Sequence, residues 1–388
     1  MIRFPYSRPC LDPRDIDAAV AVLRDSAMLT QGPEVDAFEA ALSDYLEGVE
    51  VVCCNSGTAA LHLAYAALGL GPDRGLVTSP VTFLATANAA RFLDAPVAFC
   101  DVDPATGLMS PSALEALLSD PPFPVAAVCL IHLAGCADAM PVIAEICDRF
   151  GVAMVEDACH ALGAVYPGGK RVGSGSADFC AFSFHAIKHI AVGEGGAVTT
   201  RDRAAAERMR AFRSHGITRN TAAWRYPPDG EAPWYYEMDQ LGFNYRLTDF
   251  QCSLARSQLS RLDEANAQRR TLIARYEQNL SDKTWIYLPS YLDGTDRHSW
   301  HLFQVAIDFA GIGRPRGAVM LALRERGVGT QVHYIPLTHQ PYYRALGAVT
   351  PEGAATFYDR TLSLPLYPQM TVENVDEICS ILTEVVAK

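Results

Sequence analysis

Residues 182–196 read FSFHAIKHIAVGEGG, and the fold and chemistry turn on which of these side chains carries the function. His185 and His189 are four residues apart, the spacing of two metal ligands on one helix face. Lys188 lies between them, after the apolar run DFCAFSF and before the turn-forming GEGG. A lysine held against apolar surface loses its proton readily and becomes a Schiff-base nucleophile. The histidine reading lacks the glutamate of an H-E-x-x-H motif and a third ligand nearby, so no metal is expected. A solvated or salt-bridged lysine is the ordinary alternative, and the segment alone does not separate the two.

The surrounding chain supplies context. VEVVCC precedes TAALHLAYAAL, GLVTSP precedes TFLATANAARFL, and PVAFCDV precedes PSALEALL. PVAAVCLIHL is then followed by MPVIAEICDRF, and VAMVED by a loop and DFCAFSF. Apolar strands without period-two polarity, alternating with amphipathic helices, predict a mostly parallel sheet covered on both faces. This pattern predicts a large α/β domain over residues 1–250. Residues 251–388 then hold a long helix and a smaller α+β domain, signalled by SWHLFQVAIDF, a helix near Pro315–Arg326 and GTQVHYIPL. The helical stretch from Thr248 to about Leu280 reads as one long helix or two joined ones. Thr218–Gly242, rich in Pro, Trp and Tyr, reads as a long ordered loop of the kind that often carries function.

Composition narrows the function classes. The formal net charge of −12 argues against a nucleic-acid or anionic-membrane partner, which needs a basic face. The N-terminus has no secretory h-region, and the most apolar stretch, Val125–Met140, is interrupted by His132 and Asp138. A cytoplasmic protein is the expectation. Eleven cysteines without CxxC pairs predict reduced, mostly buried thiols.

Two further motifs sit at strand ends, where ligands collect in open α/β sheets. Asn55-Ser56-Gly57-Thr58 joins an apolar strand to a good helix, so its amides and hydroxyls can hold a phosphate or simply cap the helix. Glu156-Asp157-Ala158-Cys159-His160 closes the strand VAMVED. Buried acids need partners, and a cationic heterocycle nitrogen would partner Asp157; a loop cap is the alternative. Anion cradle, carboxylate and lysine together match the needs of pyridoxal phosphate, whose protonated ring acts as an electron sink. Phe83 could stack on that ring, and His160 could contact it or its phenolic oxygen.

The order NSGTAAL, SPVTFLATANA, FCDVDPATG, VEDACHALGA, FSFHAIKHIAVGEGGAV and GFNYRLTD resembles the DegT-type sugar-nucleotide aminotransferases along most of the chain. The resemblance implies a pyridoxal-phosphate-dependent transferase of fold type I, acting as a homodimer on a nucleotide-diphosphate keto sugar. It implies that Lys188 binds the cofactor aldehyde and shuttles the proton, and that Asp157 pairs with the pyridine nitrogen. His160 fills the family's Gln/His position. Ser56, Gly57, Thr58 and Ser183 would form the phosphate site, with Phe83 at the stacking position. Asn244 would reach the phosphate from the neighbouring subunit, so that the active site is shared.

FHAIKHIAVGEGG, RSHGI, PWYYEMDQLGFNYRLTD, VHYIPL and LSLPLYPQMT further resemble one branch of the family. Its members aminate C4 of a UDP-linked 2-acetamido-2,6-dideoxy-4-keto hexose for pseudaminic acid, with L-glutamate as donor. Residues 189–192 are His-Ile-Ala-Val where the family commonly has polar threonines. His185, His215, Arg246, His333 and Tyr334 are candidates for substrate contacts by motif position, and an ordinary salt bridge or surface hydrogen bond is the alternative for each. Other readings stay open: C3 amination of a TDP-3-keto sugar, amination of a GDP-4-keto sugar, a keto-sugar dehydratase, or a regulatory or scaffolding relative. The dehydratases replace the lysine by histidine; here His189 stands beside Lys188, not in its place.

Overall fold

The computed structural model describes residues 2–294 and 296–387. Seven strands form the central sheet: β1 (Glu50–Cys54), β2 (Gly75–Thr78), β3 (Val97–Phe99), β4 (Val125–Ile131), β5 (Ala153–Asp157), β6 (Phe179–Ser183) and β7 (Gly196–Thr200). Their order is β1-β7-β6-β5-β4-β2-β3. All neighbours are parallel except β7, which runs antiparallel to both β1 and β6.

Alternate residues of these strands enter different layers, which explains why the strands lack polar positions. Val51 and Cys53 pack with Phe38, Leu42, Leu114, Ile143 and Cys252 on one face. Val52 and Cys54 pack with Ala60, Leu61, Leu63, Ala90 and Met209 on the other. The expected doubly covered, mostly parallel α/β sheet is therefore present. All eleven cysteines are unpaired; nine are buried, Cys159 is half-buried and Cys10 is exposed.

Ile217–Thr218 (β8) and Glu237–Met238 (β9) pair antiparallel and tie the aromatic-rich segment into a long hairpin-like excursion. The helical stretch after it is two helices, Asp249–Leu259 and Leu262–Leu280. The first contributes Cys252 and Ala255 to the large-sheet core. The second contributes Leu272, Ile273 and Tyr276 to another core, built over a small antiparallel sheet. That sheet comprises β10 (Ile286–Tyr287), β11 (Phe303–Ile307) and β12 (Thr361–Leu364), covered by helices Arg316–Glu325, Glu352–Arg360 and Val372–Val386. Among the described residues, no helix is long and apolar enough to cross a membrane.

Candidate active site

The carboxyl ends of β5 and β6 open onto a cleft of about 630 Å³. The helix Gly57–Ala67 starts at its rim, because Ser56 is extended and its hydroxyl accepts the Ala59 N–H at 3.0 Å. The capping alternative for Ser56 is thus real. It leaves the Gly57 and Thr58 N–H groups, which have no acceptor inside a helix, as donors for an anion. Gly57 is required here: a Cβ would lie 2.9 Å from the Ser183 Cβ and 3.1 Å from the Cys159 Sγ. Gly196, opening β7, lies equally close. A Cβ there would meet the Ser56 carbonyl oxygen at 2.4 Å and the Gly57 nitrogen at 2.8 Å. Ser183 ends β6, and its hydroxyl accepts the His185 N–H at 3.3 Å.

Asp157 and Glu156 diverge because adjacent strand residues face opposite sides. Glu156 is fully buried away from the cleft, accepting the Tyr166 hydroxyl at 2.7 Å and lying 2.7 Å from His132 Nε2. Asp157 lines the cleft. Its Oδ2 accepts the Thr86 hydroxyl at 2.6 Å, and its Oδ1 accepts the Cys159 N–H at 3.2 Å. Thr82 lies 2.8 Å from Thr86, and since the Thr86 proton is committed to Asp157, Thr82 is the donor. Reasoning from the sequence missed both threonines, although their i, i+4 spacing in TFLAT was a usable signal.

Lys188 projects into the same cleft. Burial pushes its ammonium down from the ordinary lysine range, and the nearby Cys159 and Asp157 offset this only in part. Segment 185–192 is a turn rather than a helix, so the four-residue histidine spacing does not align two ligands. His185 Nε2 lies 3.9 Å from Glu194, whereas His189 Nε2 lies 3.1 Å from the Ser299 carbonyl. Among the described residues, one trio of ligand-type side chains, Cys136, Asp138 and His298, lies elsewhere, and Asp138 is already paired with Arg297 at 3.2 Å.

His160 completes the floor. Its Nε2 lies 3.0 Å from the Tyr334 hydroxyl, while its buried Nδ1 has no partner among the described residues. Burial, then the Lys188 charge, holds its imidazole well below its usual value. Phe83 is exposed at the mouth, 6.2 Å from the Tyr334 ring. His333 also lines the cleft; its Nδ1 meets Ser363 at 2.8 Å, and burial pushes its pKa down to about 3. Ser56, Gly57, Thr58, Phe83, Asp157, His160, Ser183, His185, Lys188, His333 and Tyr334 therefore converge on one cleft.

Three predicted residues do not line it. Asn244 is exposed beside the cradle, its carbonyl 3.4 Å from the Asn55 amide nitrogen. His215 is exposed at a positive φ of 61°, and Arg246 lies outside the cleft of this chain.

The DegT/DnrJ/EryC1/StrS aminotransferase family matches residues 9–383. The spore coat polysaccharide biosynthesis protein SpsC of Bacillus subtilis is 35% identical over 98% of this chain and 97% of its own. The structure is similar to that of Helicobacter pylori PseC, an aminotransferase involved in the biosynthesis of pseudoaminic acid, with a TM-score of 0.89, 30% identity and 98% of each chain covered. It is also similar to the PLP form of the putative sugar aminotransferase Spr1654 from Streptococcus pneumoniae, with a TM-score of 0.87, 25% identity and 98% of each chain covered. The chain belongs to the DegT/DnrJ/EryC1/StrS family and is an enzyme of the pyridoxal-phosphate-dependent sugar aminotransferase type.

The residues present suit that cofactor. Gly57 lets the helix start pack directly against Ser183, Asp157 is held by donors on both oxygens, Lys188 is partly stripped of water, and His160 Nδ1 lacks a partner among the described residues.

Proposed function

We propose that the chain transfers the amino group of L-glutamate to C4 of a UDP-linked 4-keto-6-deoxy sugar. UDP-2-acetamido-2,6-dideoxy-4-hexulose is the expected acceptor, in nonulosonate biosynthesis of the pseudaminic-acid type. The observation that carries the reading is the meeting of Lys188, Asp157 and the Gly57–Thr58 amides in one cleft. The choice of acceptor rests on the likeness to PseC together with the branch motifs around Lys188 and His333.

When bound, pyridoxal phosphate supplies an electron sink for the carbanion chemistry of transamination. Gly57, Thr58 and Ser183 would bind its phosphate, and Asp157 would hold its ring nitrogen protonated. Phe83 and His160 confine the ring. Lys188 Nζ would hold the cofactor at its aldehyde, and its amine of lowered basicity is suited to moving a proton at the donor's Cα. The burial that lowers its pKa serves this role. Donor and acceptor use the same cleft in turn, giving ping-pong kinetics.

Lys188 is the one lysine or arginine among the residues lining the cleft, and it is committed to the aldehyde. A nucleotide diphosphate needs further cations. Arg246 of a second copy would supply one, and Asn244 of that copy would donate to the cofactor phosphate, in a homodimer with shared sites.

The test is direct. Purified protein is expected to be yellow and Lys188→Ala colourless, with glutamate-dependent turnover of a UDP-4-keto sugar in a panel that includes GDP-4-keto and TDP-3-keto sugars. Preference for a TDP-3-keto sugar would overturn the acceptor. Sugar conversion without stoichiometric 2-oxoglutarate would point instead to a dehydratase. A protein that stays colourless with added cofactor would overturn the cofactor's role.

A further inference from the structure

His62 lies in the second turn of the helix Gly57–Ala67, whose first residues form the phosphate cradle, and the proposed chemistry does not use it. It is buried in a cage of four aromatic side chains. The rings of Phe92, Phe212, Phe243 and Tyr245 stand between 5.2 and 5.9 Å from the imidazole, each edge-on to it. Its Nδ1 lies 3.1 Å from the Tyr245 hydroxyl, and its Nε2 is sealed from solvent without a partner among the described residues. Burial holds the imidazole down at about 4, so the ring is neutral at neutral pH.

An apolar ring would fill the same cage and leave no nitrogen unpaired. The hydroxyl contact is therefore what a histidine adds at this position.

That contact bears on segment 243–245. The Phe243 and Tyr245 rings stack at 4.9 Å and 17°, so both lie on the His62 side of the chain. Asn244, between them, is turned to the opposite side and is exposed. The backbone is tied as well. The Phe243 N–H donates to the Phe212 carbonyl at 2.8 Å, and the Tyr245 N–H to the Arg213 carbonyl at 2.9 Å. The Asn55 N–H donates to the Tyr245 carbonyl at 2.8 Å, which joins the segment to the residue before the Ser56–Gly57 turn. These bonds fix the path of the chain, and the His62–Tyr245 contact fixes which face of it looks outward.

We propose that His62 is a positioning residue that holds Asn244 outward for the cofactor phosphate of a second copy. Although it stands on the helix that begins at its own chain's cradle, it serves the partner's site. The proposal rests on the shared-site reading of Asn244, and the experiment separates the two.

Two differently tagged full-length chains are co-expressed, and mixed dimers are isolated through both tags. Borohydride reduction fixes the cofactor on Lys188 alone, so the mass of that chain reports occupancy of the complete site across a cofactor titration. In the His62→Phe and Tyr245→Phe homodimers, half-saturation is expected at about fivefold more cofactor, the worth of one buried hydrogen bond. His62→Asn, whose side-chain oxygen can accept from the Tyr245 hydroxyl, should recover most of the loss. In a mixed dimer of His62→Phe with Lys188→Ala, the Lys188 site takes Asn244 from the chain with an intact His62, so wild-type occupancy is expected. The reverse arrangement pairs wild type with a His62→Phe/Lys188→Ala chain. It should show the fivefold loss in a chain that itself carries no substitution. A loosened core or cradle would instead keep the defect in the substituted chain, and that result overturns the proposal, as does wild-type occupancy in both homodimers. Asn244→Ala mixed with Lys188→Ala is the control. If it recovers nothing over the Asn244→Ala homodimer, the shared-site reading falls and the proposal with it. Recovery in the control but not in the His62→Phe pair sinks the proposal alone.

Discussion

Glu156 and Asp157 are adjacent acids with opposite fates, and the difference is the residue-scale content of the site. Glu156 is a structural anchor locked by Tyr166 and His132, while Asp157 faces the cleft with Thr86 donating to it. Removing that hydroxyl leaves a buried carboxylate oxygen short of a donor, at a cost of about 1–3 kcal/mol. Thr86→Val is therefore expected to weaken cofactor retention roughly tenfold while leaving the fold intact. Equilibrium dialysis of the cofactor together with far-UV circular dichroism checks this. Equal affinity in the variant would show that Asp157 does not depend on Thr86. Asp157 and Lys188 were legible in the sequence because a strand-end acid and a lysine before a glycine-rich turn are local patterns. Thr86 was not singled out: its spacing from Thr82 was visible, but its pairing with Asp157 is made only by packing.

At the scale of elements, the antiparallel strand β7 makes the cradle possible. Gly196 pairs with Cys54 on one side and Ser183 on the other, so β7 passes directly beneath the Ser56–Gly57 turn. A methyl group there would collide with backbone, which cannot move aside as a side chain can. Gly196→Ala is expected to cost about 1–3 kcal/mol in urea unfolding and to abolish cofactor retention. Wild-type behaviour in both measurements would contradict the close approach. The sequence marked GEGG as a turn but not which glycine was indispensable, because that depends on the register of β7 between β1 and β6. The same limit explains the histidines: spacing suggested a helix face at His185 and His189, whereas the chain forms a turn and sends them to different partners.

At the scale of the whole molecule, doubly covered apolar strands were legible because alternation was missing, and the antiparallel insertion of β7 was not, because strand direction leaves no mark on composition. Asn244, His215 and Arg246 lie outside the cleft, while Tyr226, Trp234, Met238 and Leu241 of the neighbouring excursion are exposed. Exposed apolar side chains gathered in one excursion suit a second copy. If the site is shared across a two-fold axis, mixing inactive Lys188→Ala with inactive Asn244→Ala and refolding together should restore about a quarter of wild-type activity, since half the dimers carry one intact site. No recovery would place both residues in the same protomer's site. The strand order has a temporal consequence as well. Because β1 lies beside β7, the Ser56–Gly57 turn has no support until the chain through Thr200 has been made and folded back. Contacts this distant in sequence form late, so a nascent or truncated chain has helices and parallel strands but nowhere to seat a phosphate. Cofactor colour then marks completed molecules.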